Sequence, residues 1–574
     1  MKRLSHKVDV CIVGGGMAGV CAAISAARNG AKVAIVQDRP VFGGNASSEI
    51  RMHVCGADRH GKIPNVRETG ILEECRLENL RRNPQKSFSI WDTVLYEKVM
   101  LDPNISYFLN CSCLDAEMDG PRIRSITGWQ TTTQTYHTIE AKVFADCSGD
   151  AILAPLTAAE FRIGREARSE YSESIEPEVA DKKTMGMTCL FQARDTGKPA
   201  PFEPPSWACD FPSDADMPNR HHGWLEMGYW WIELGGEQDS IHDTEKIRDE
   251  LLRIVYGLWD HLKNHGDHGA ENWALEWVQF LPGKRESRRY VGDHVLTQND
   301  VEAEGRFPDV VAYGGWTMDD HNPGGFRYKG PPTIFHPAPS PYGIPYRCLL
   351  SKNIENLMFA GRCASMSHAA MSSTRVMGTA SVMGQAVGTA AAIAVKNGLT
   401  PREVGKRIGE LQQTLLRQDC YLPWVKQEFS ELTRRAALKA SSGDPEPLRD
   451  GINRPVGKDQ HAWDGRIGDS IEYTWDGNQA VSSLTLVFDS ALSRIIAMSY
   501  HQKDTQLTHV PEEMVKDFRV EIRTPDGWKL WKRASGNHQR LVRVEINTPA
   551  TGVRATFDST WGAEKVRLYA FYLD

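Results

Sequence analysis

The chain has 574 residues, of which 41% are hydrophobic and 25% are charged, and its formal net charge is −7. This length exceeds what one hydrophobic core usually supports, so we expect two or three domains. The slightly acidic balance provides no basic surface for nucleic acid, and no apolar run reaches the roughly 18 residues of a membrane span. The N-terminus passes from charged residues straight into a strand without an apolar signal region, so we expect a cytoplasmic protein.

Twelve cysteines are spread along the chain, with none after position 420. They form no C-x-x-C pair and no spacing typical of zinc ligands, so we expect free thiols in a reducing compartment and no bound metal. Cys111 and Cys113 alternate on a predicted strand and would face the same side. That arrangement alone does not make them a redox pair.

The first predicted elements form a β-α-β unit. The apolar run 8–13 predicts a strand, the alanine-rich segment 17–29 predicts a helix that ends at Gly30, and 32–36 predicts the next strand. A unit of this length and order is typical of nucleotide-binding folds.

Three glycines follow the first strand in G-x-G-x-x-G spacing. Gly14 would make the tight turn, Gly16 would let the backbone approach a pyrophosphate, and Gly19 would let helix and strand pack closely. The helix then begins at Met17 and Ala18, where free N–H groups and the helix dipole favour phosphate. These five residues are therefore predicted to form the cofactor turn.

The position that usually binds ribose departs from the common pattern. An acidic residue is expected there, about 20 residues after the glycines. This chain has Gln37 at that place, followed by Asp38 and Arg39. The amide of Gln37 or the carboxylate of Asp38 could bond a ribose hydroxyl, and the choice stays open.

The segment after the second strand favours FAD over NAD. It reads PVFGGNASSE, residues 40–49, and resembles the Gly-Gly-x-x-Ser segment of FAD-binding folds of the glutathione-reductase and succinate-dehydrogenase type. The resemblance implies cofactor contacts from Gly43, Gly44, Asn45, Ala46 and Ser47.

Two later segments extend this resemblance. AKVFADCSGDAILA, residues 141–154, resembles the strand that returns to the flavin and ends at Ser148, Gly149 and Asp150. Residues 355–394 resemble the closing flavin motif, in which a helix of small residues could direct its N-terminus at the flavin ring. The residues implied in this motif are Gly361, Arg362, Arg375, Val376, Met377 and Thr379.

Residues 5–400 as a whole resemble the broad family of FAD-dependent oxidoreductases, which is related to fumarate reductase and succinate dehydrogenase flavoproteins. Four motifs in the family's order imply FAD, held without a covalent bond. The family acts on many substrates, so the resemblance implies a cofactor more than a reaction. A second G-x-G-x-x-G, a C-x-x-x-x-C dithiol and cluster cysteines are all missing, which disfavours disulfide-reductase chemistry and an iron–sulfur relay. The electron acceptor is not indicated.

We therefore predict an α/β fold with a Rossmann-like FAD-binding domain built from residues 1–154 and 346–420. An α+β substrate domain, residues 155–345, is inserted between these halves and contains an amphipathic helix over 243–265. Within the first half, Asp92 is predicted to cap a helix. Strands are predicted over 105–113, 123–129 and 137–144.

Residues 436–574 predict an all-β sandwich, because short strands alternate with turn signals. The strands are predicted over 482–489, 517–524, 541–547, 552–558 and 565–574. The segment ASSGDPEPLRDG at 440–451, together with Trp463, resembles the discoidin-type jelly roll. This resemblance implies either sugar binding or packing against a neighbouring domain, and both stay open.

Candidate catalytic residues are groups near the flavin motifs that can carry a proton or hold a polar substrate. His53 follows the GGNASSE segment and His368 precedes the closing helix, so both are predicted to reach the ring, although either could be structural. Arg51 could steer a substrate or pair with Glu49. In GKRESRRYVGDH, residues 283–294, we select Arg288 as catalytic and Arg285 as substrate-binding, against the alternative of a solvated surface. Tyr229 and Trp230 could stack on a ring substrate or belong to the core.

The sequence thus predicts an FAD-dependent oxidoreductase that dehydrogenates a polar small molecule. A carbohydrate is the preferred substrate class, because of the jelly roll and the aromatic-rich middle domain. In this hypothesis His53 or His368 takes the hydroxyl proton while hydride goes to flavin N5. The alternatives are glycoside cleavage through a transient keto sugar and elimination, or a carbohydrate-binding protein in which FAD is structural. The oligomeric state is not indicated.

Overall fold

A five-stranded parallel sheet forms the centre of the first domain in the computed structural model, which describes residues 1–499 and 504–574. Its inner strands are buried along their whole length and are correspondingly apolar, as expected where helices cover both faces. In spatial order the strands are Leu357–Phe359, Val143–Asp146, Val10–Val13, Val33–Val36 and Ile105–Phe108. The first of these comes late in the chain, so the domain is completed only after the inserted residues.

Two long helices pack against each other beside this sheet. Helix Met17–Arg28 follows the first glycine turn, and helix Met377–Asn397 lies across it. A Cβ atom at Gly384 would lie 2.0 Å from the carbonyl oxygen of Ala18, so only glycine allows this close approach. Among the described residues, Met377–Asn397 is the one helix long and apolar enough to cross a membrane, and 94% of its most apolar window is buried within the protein. We interpret it as a core helix.

The remaining helices of this domain surround the same core. They are Ile71–Arg82, Phe88–Met100, Leu153–Thr157, His368–Thr374, Pro401–Val404 and Ile408–Arg417. Asp92 does not cap a helix as predicted, because Ser87 is the N-cap of Phe88–Met100. The Asp92 carboxylate instead accepts a hydrogen bond from the Ser48 amide at 3.0 Å and thereby ties this helix to the cofactor segment.

A four-stranded sheet flanks the parallel sheet. Its order is Lys2–Lys7, Thr135–Glu140, Arg122–Gln130 and Cys111–Asp119. The strands predicted over 105–113 and 137–144 are each divided in two. In both cases one half joins this flanking sheet and the other half joins the parallel sheet, so a turn separates them.

The inserted residues form an α+β domain of short strands around one long helix. That helix, Thr244–Asn264, agrees with the prediction and buries its apolar stripe in the core of the domain. The shorter helices are Arg168–Tyr171 and Gln298–Glu302. The strands are Phe161–Arg162, Met187–Thr188, Phe191–Asp195, Glu233–Leu234, Trp273–Val278, Gly283–Lys284, Arg289–Tyr290, Val310–Gly314, Met318–His321, Thr333–His336 and Tyr342–Pro345.

The C-terminal residues form the predicted all-β sandwich, which follows the short helix Glu431–Arg435. Its strands pair antiparallel. They are Ala437–Ala440, Trp463–Arg466, Ser470–Phe488, Val515–Thr524, Gly527–Ala534, Leu541–Thr560 and Lys565–Leu573. The two strands predicted at 541–547 and 552–558 are one continuous strand. Its pairing with Ser470–Phe488 shifts register at irregularities, which allow long strands to bend between the layers of a sandwich.

Buried arginines fasten the sandwich to the first domain. Arg67 donates to the carbonyl oxygens of Ser490 and Ala491 at 2.9 and 3.0 Å, and Arg540 pairs with Asp419 at 3.0 Å. Both guanidinium side chains are almost fully buried. Leu77 of helix Ile71–Arg82 also belongs to the core of the sandwich. The sandwich is therefore packed against the first domain by apolar and charged contacts together.

Candidate functional site

A cavity of about 1480 Å³ opens at the carboxyl edge of the parallel sheet. Ligands of α/β proteins bind at this edge. The volume exceeds the roughly 300–1,000 Å³ of ordinary small-molecule sites, so it has room for a dinucleotide and a second molecule. Lining residues come from both halves of the first domain, from the inserted domain and, at Ser499, from the sandwich.

The glycine turn forms the inner end of this cavity. Gly14 has a φ of 100°, and a Cβ atom there would lie 2.4 Å from the Ser148 amide nitrogen. Gly14, Gly16, Met17 and Ala18 line the cavity. Gly19 does not, because its α-carbon faces the carbonyl oxygen of Gly14, 1.8 Å from an added Cβ. Its role is the close packing of helix on turn.

The structure distinguishes the two candidate ribose ligands. Gln37, Asp38 and Arg39 all line the cavity. However, Gln37 Oε1 accepts from the Gly15 amide at 2.7 Å and Gln37 Nε2 donates to Val41 O at 3.3 Å. The Gln37 amide therefore holds the glycine turn in place, while the largely exposed Asp38 carboxylate is better placed to accept ribose hydroxyls.

The segment predicted to continue the cofactor site is divided between two roles. Gly43, Gly44 and Asn45 line the cavity. Ser47 does not, because its hydroxyl donates to Gly44 O at 2.7 Å and closes the turn on itself. Ala46 faces a separate small cavity instead of the main one.

An anion fixed by two cations lies beside the glycine turn, on the segment that Gly14 contacts. Ser148, Gly149 and Asp150 line the cavity, as predicted for the returning strand. The Asp150 carboxylate pairs with Lys284 at 2.8 Å and with Arg362 at 3.0 Å. Burial alone would raise the pKa of Asp150, but these two cations hold it well below its usual value. Asp150 is therefore a permanent anion that orients Arg362 in the wall.

The closing motif directs a helix N-terminus at the cavity. Gly361, Arg362, Arg375, Val376 and Met377 line it, whereas Thr379 is fully buried one turn into the helix and faces away. Val376 is the N-cap of Met377–Asn397, and no side chain among the described residues caps its first amides. The Gly378 amide donates to the Cys55 carbonyl at 2.8 Å, while the other N–H groups of the first turn and the helix dipole favour an acceptor or anion in the cavity.

Four buried polar atoms test whether the cavity fits a cofactor. Arg39 Nη1, Glu49 Oε2, Trp316 Nε1 and Arg375 Nε belong to cavity-lining residues and make no hydrogen bond among the described residues. Arg39 Nη1 and Glu49 Oε2 lie 3.6 Å apart as an ion pair, so Trp316 Nε1 and Arg375 Nε are the two of these atoms left without a partner within the described part of the chain. Buried polar groups rarely remain unpaired. Donors and acceptors are thus in place for a polar ligand that extends through this cavity, and the residues fit FAD.

His53 lies in the cavity wall beside a second histidine that the sequence analysis did not select. Its Nε2 atom is 3.1 Å from His60 Nε2, and Cys55 Sγ is 3.5 Å from the same nitrogen. His60 has a φ of 55°, in the left-handed region that costs a non-glycine residue about 1 kcal/mol. The edge of the His60 ring packs on Trp316 at a centroid distance of 5.2 Å.

His368 lies outside the cavity, which corrects the prediction that it reaches the ring. The side chain is 1% exposed, with Nδ1 2.9 Å from Glu286 and Nε2 3.3 Å from Asp320. Burial alone would lower the pKa of His368, but these carboxylates hold it well above its usual value. A histidine committed to two carboxylates is a structural cation and not a proton acceptor for substrate.

Three further candidates do not line the cavity, although Arg288 Nη1 donates to the carbonyl of the cavity-lining Asp150 at 3.4 Å. The Arg51 guanidinium stacks 4.4 Å above Trp277, and the Arg288 guanidinium lies 5.6 Å from the Phe161 ring. Tyr229 is fully buried in the core of the inserted domain, where it stacks on Phe191 at 4.7 Å. Arg285 and Trp230, by contrast, line the cavity.

The wall provided by the inserted domain contains a charged cluster that the sequence analysis missed. His321 lies in the cavity lining, 2.6 Å from Glu233 and 3.3 Å from Asp319, and Asp319 pairs with Arg375 at 3.1 Å. Burial alone would lower the pKa of His321, but the two carboxylates raise it. Arg285 lies 3.5 Å from Glu233. The sequence signal was the Asp-Asp-His triplet 319–321 at the end of a strand.

The parallel sheet, the glycine turn and the helix end at the cavity together define an FAD-binding flavoprotein. Residues 9–415 match the model of the family described as FAD dependent oxidoreductase, and the chain belongs to this family. It is an enzyme of the oxidoreductase class that uses FAD. Comparison with curated proteins finds no match.

Solved structures resemble separate parts of the chain. A geranylgeranyl bacteriochlorophyll reductase-like protein from Thermoplasma acidophilum is 12% identical, with 72% of this chain and 86% of that chain covered, at a TM-score of 0.35. The family 32 carbohydrate-binding module of Streptococcus pneumoniae EndoD is 17% identical over 25% of this chain and 99% of that chain, at a TM-score of 0.20. The family 32 module of Clostridium perfringens NanJ, solved with galactose, is 10% identical over 25% of this chain and 95% of that chain, at a TM-score of 0.18.

Gly16 provides a direct test of the cofactor position. With a φ of −67° and no described atom closer than 3.9 Å to an added Cβ, Gly16→Ala should leave folding unchanged. The same methyl group would obstruct a pyrophosphate beside the turn, so we expect FAD affinity to fall at least about tenfold. Gly409→Ala, at an exposed helical position with no described atom within 4 Å, is the matched control. Flavin stoichiometry and melting temperature measure both effects, and equal FAD binding by the two variants would contradict this placement.

Proposed function

We propose that this enzyme oxidises a hydroxyl group of a polyhydroxylated small molecule, of the carbohydrate class, with the His53–His60 pair receiving the hydroxyl proton. One observation carries the proposal: a single cavity contains the cofactor turn, this histidine pair and a wall of aromatic and charged side chains. Removal of hydride from a C–OH group requires a nearby proton acceptor. The His53–His60 pair is such an acceptor, and it lies on the side of the cavity formed by the segment that follows Gly43 and Gly44.

The histidine pair is suited to accept a proton at neutral pH. Burial lowers the pKa of His60, so its ring is neutral and can receive a proton that His53 passes on. Burial also raises the pKa of the Cys55 thiol to about 12, so the thiol stays protonated, 3.5 Å from His60 Nε2. Bound FAD supplies the hydride acceptor. The chain itself therefore moves the proton and positions the substrate.

The opposite wall has the composition that recognises a sugar. Trp230 packs edge-on to His321 at 5.5 Å, and Arg285 donates to the Trp230 carbonyl at 2.8 Å, which fixes the segment that carries this indole. Aromatic faces cover the apolar side of a sugar ring, whereas charged groups form strong hydrogen bonds with hydroxyls. Asp319 and Arg375 provide such groups next to Trp316 in the same wall.

The second protonatable group, His321, favours a further candidate function. Oxidation of a glycoside to a keto sugar acidifies the neighbouring C–H bond, so a second acid–base group could then drive elimination of the aglycone. Water would then add to the unsaturated keto sugar, hydride would return to the ketone, and the enzyme would show net hydrolysis without an external acceptor. Release of aglycone with no consumption of acceptor distinguishes this reaction from simple dehydrogenation.

The test is anaerobic addition of candidate sugars and glycosides to the FAD-loaded protein. We expect a sugar of the correct class to bleach the visible band of oxidised flavin, and dithionite to bleach it in every preparation. Sugars that bind by calorimetry but never reduce the flavin would indicate a carbohydrate-binding protein with a structural FAD. If no sugar either binds or reduces the flavin while dithionite does, the substrate class proposed here is wrong.

A further inference from the structure

Four side chains of the inserted domain converge on one point. They are Asp214, His222, His261 and His268, whose candidate ligand atoms all lie within 4.8 Å of one another. The Nε2 atoms of His261, His222 and His268 are 3.0, 3.2 and 3.9 Å from Asp214 Oδ1. The three rings pack around this oxygen with centroids 4.7, 4.9 and 5.0 Å apart.

These distances resemble the edges of a zinc coordination shell. Zinc binds histidine nitrogen at about 2.0–2.1 Å and carboxylate oxygen at about 2.0–2.2 Å, so two ligand atoms of a tetrahedral site lie roughly 3.4 Å apart. The three nitrogen-to-oxygen distances fall within about 0.5 Å of that value. Small side-chain rotations would therefore complete a three-histidine, one-aspartate site, and at His268 the rotation would replace the 3.2 Å contact of its Nε2 with His265 O.

The outer hydrogen bonds orient two of the histidines as ligands. Nδ1 of His261 is 2.7 Å from Phe211 O, and Nδ1 of His222 is 3.0 Å from Arg220 O. A carbonyl only accepts, so each Nδ1 carries a proton, and Nε2 is the nitrogen left to bind a metal. Both Nε2 atoms face Asp214 Oδ1, an oxygen that zinc also binds. Outer bonds of this kind are usual for metal-bound histidine.

We propose that Asp214, His222, His261 and His268 bind one zinc ion that stabilises the inserted domain. Four protein ligands leave no open position, which is typical of a structural site. The ion would join the 3₁₀ turn Asp214–Asp216, the segment 220–231 and the C-terminal end of helix Thr244–Asn264. The cysteine spacing gave no sign of this site, because no cysteine takes part.

The proposed ion also has a consequence for the cavity. Segment 220–231 carries Trp224 and Trp230, both of which line the cavity. The indole of Trp231, in the same segment, donates to His221 O at 3.1 Å, directly beside the ligand His222. Zinc would therefore stabilise the position of the segment that carries Trp224 and Trp230. The ion itself would not lie beside His53 and His60, because none of its ligands lines the cavity.

The test uses the full-length, FAD-loaded protein, treated with a chelator and then dialysed against micromolar zinc. We expect one zinc per chain by mass spectrometry and a higher melting temperature with zinc than without. Asp214→Asn, at a largely exposed side chain, and His261→Gln should each weaken zinc binding at least tenfold. His268→Gln should have the smallest effect, because its Nε2 also lies 3.2 Å from His265 O.

Two control variants locate the ion. His242→Gln removes an exposed histidine of the same domain. His60→Gln alters a separate cluster of possible metal ligands, which also contains His53 and Cys55. Both should retain one zinc per chain. The proposal is overturned if the wild-type chain takes up no zinc above background, or if Asp214→Asn and His261→Gln bind zinc as the wild type does.

Discussion

Replacement of His60 by glutamine is expected to lower the turnover number by about 10²–10⁴-fold while FAD stays bound. The ring of His60 is 3.1 Å from His53 Nε2 and is kept neutral by burial, so it is the group into which a proton can move. Glutamine keeps a polar group of similar reach but cannot take up a proton. Steady-state turnover with the substrate identified by flavin reduction, together with flavin content, measures the effect.

The matched control is a second histidine pair that lies away from the cavity. His6 Nε2 and His137 Nδ1 are 2.9 Å apart in the flanking sheet, and burial lowers the pKa of both rings. His137→Gln should therefore leave turnover unchanged. Equal losses in the two variants would mean that His60 acts through stability alone.

The pH profile gives an independent check of the same pair. Because the pKa of His60 lies below the ordinary histidine value of 6.5, its neutral form persists at neutral pH. As pH falls through that lowered pKa, the ring becomes protonated and can no longer receive a proton. We expect wild-type kcat/KM to decline only on the acid side of 6.5 and His60→Gln to lose this decline.

Much of the cofactor turn was predictable from sequence, because a glycine with positive φ and a helix start are set by neighbours along the chain. The close approach of Ser148 to Gly14 involves a distant segment, but the glycine spacing marks where such an approach can occur. Gly14 and Gly16, which were predicted to form the turn, both line the cavity, and Gly14 has the positive φ of a tight turn. Ala46, Ser47 and Thr379 show the limit of this reasoning, because a motif specifies a backbone path but not which side chains face the ligand.

Which histidines face the cavity was harder to predict, because contacts between residues distant in sequence determine it. His368 lies next to the closing helix in sequence, yet Glu286 and Asp320 of the inserted domain hold it in the interior. His321, on a strand of that domain, reaches the cavity instead. The positions of histidines in the sequence do not indicate which carboxylates they contact in the fold.

Neighbouring residues also divided between core and cavity. Tyr229 and Trp230 are adjacent, but Tyr229 fills the core whereas Trp230 lines the cavity. Likewise Arg285 lies in the cavity wall, while Arg288 packs outside it. In extended segments successive side chains face opposite sides, so a shift of one residue in register reverses the assignment. The sequence could therefore identify these segments but not which of their side chains face the cavity.

Replacement of the buried Arg67 is expected to weaken the attachment of the sandwich to the first domain. Arg67 is fully buried, pairs with Glu73 at 2.7 Å and donates to the carbonyls of Ser490 and Ala491. Arg67→Met would leave Glu73 as an unpaired buried charge, which costs about 3–5 kcal/mol. We expect a large fall in melting temperature and rapid proteolysis between the first domain and the sandwich. Arg81→Met, which breaks an exposed pair with Glu78, should change neither.

The pH dependence of this defect separates a lost charge pair from lost packing. In the wild type, burial would raise the pKa of Glu73, but Arg67 holds it below its usual value of 4.5, so the pair contributes stability above that pH. Without Arg67 the remaining burial raises the pKa, and the cost appears as pH rises above 4.5. The difference in stability between Arg67→Met and the wild type should therefore be largest at neutral pH and smaller near pH 5. The double variant Arg67→Met/Glu73→Gln should recover part of the loss, because no buried charge remains. A difference that is independent of pH, with no recovery in the double variant, would show that the sandwich is held by its apolar contacts and not by this ion pair.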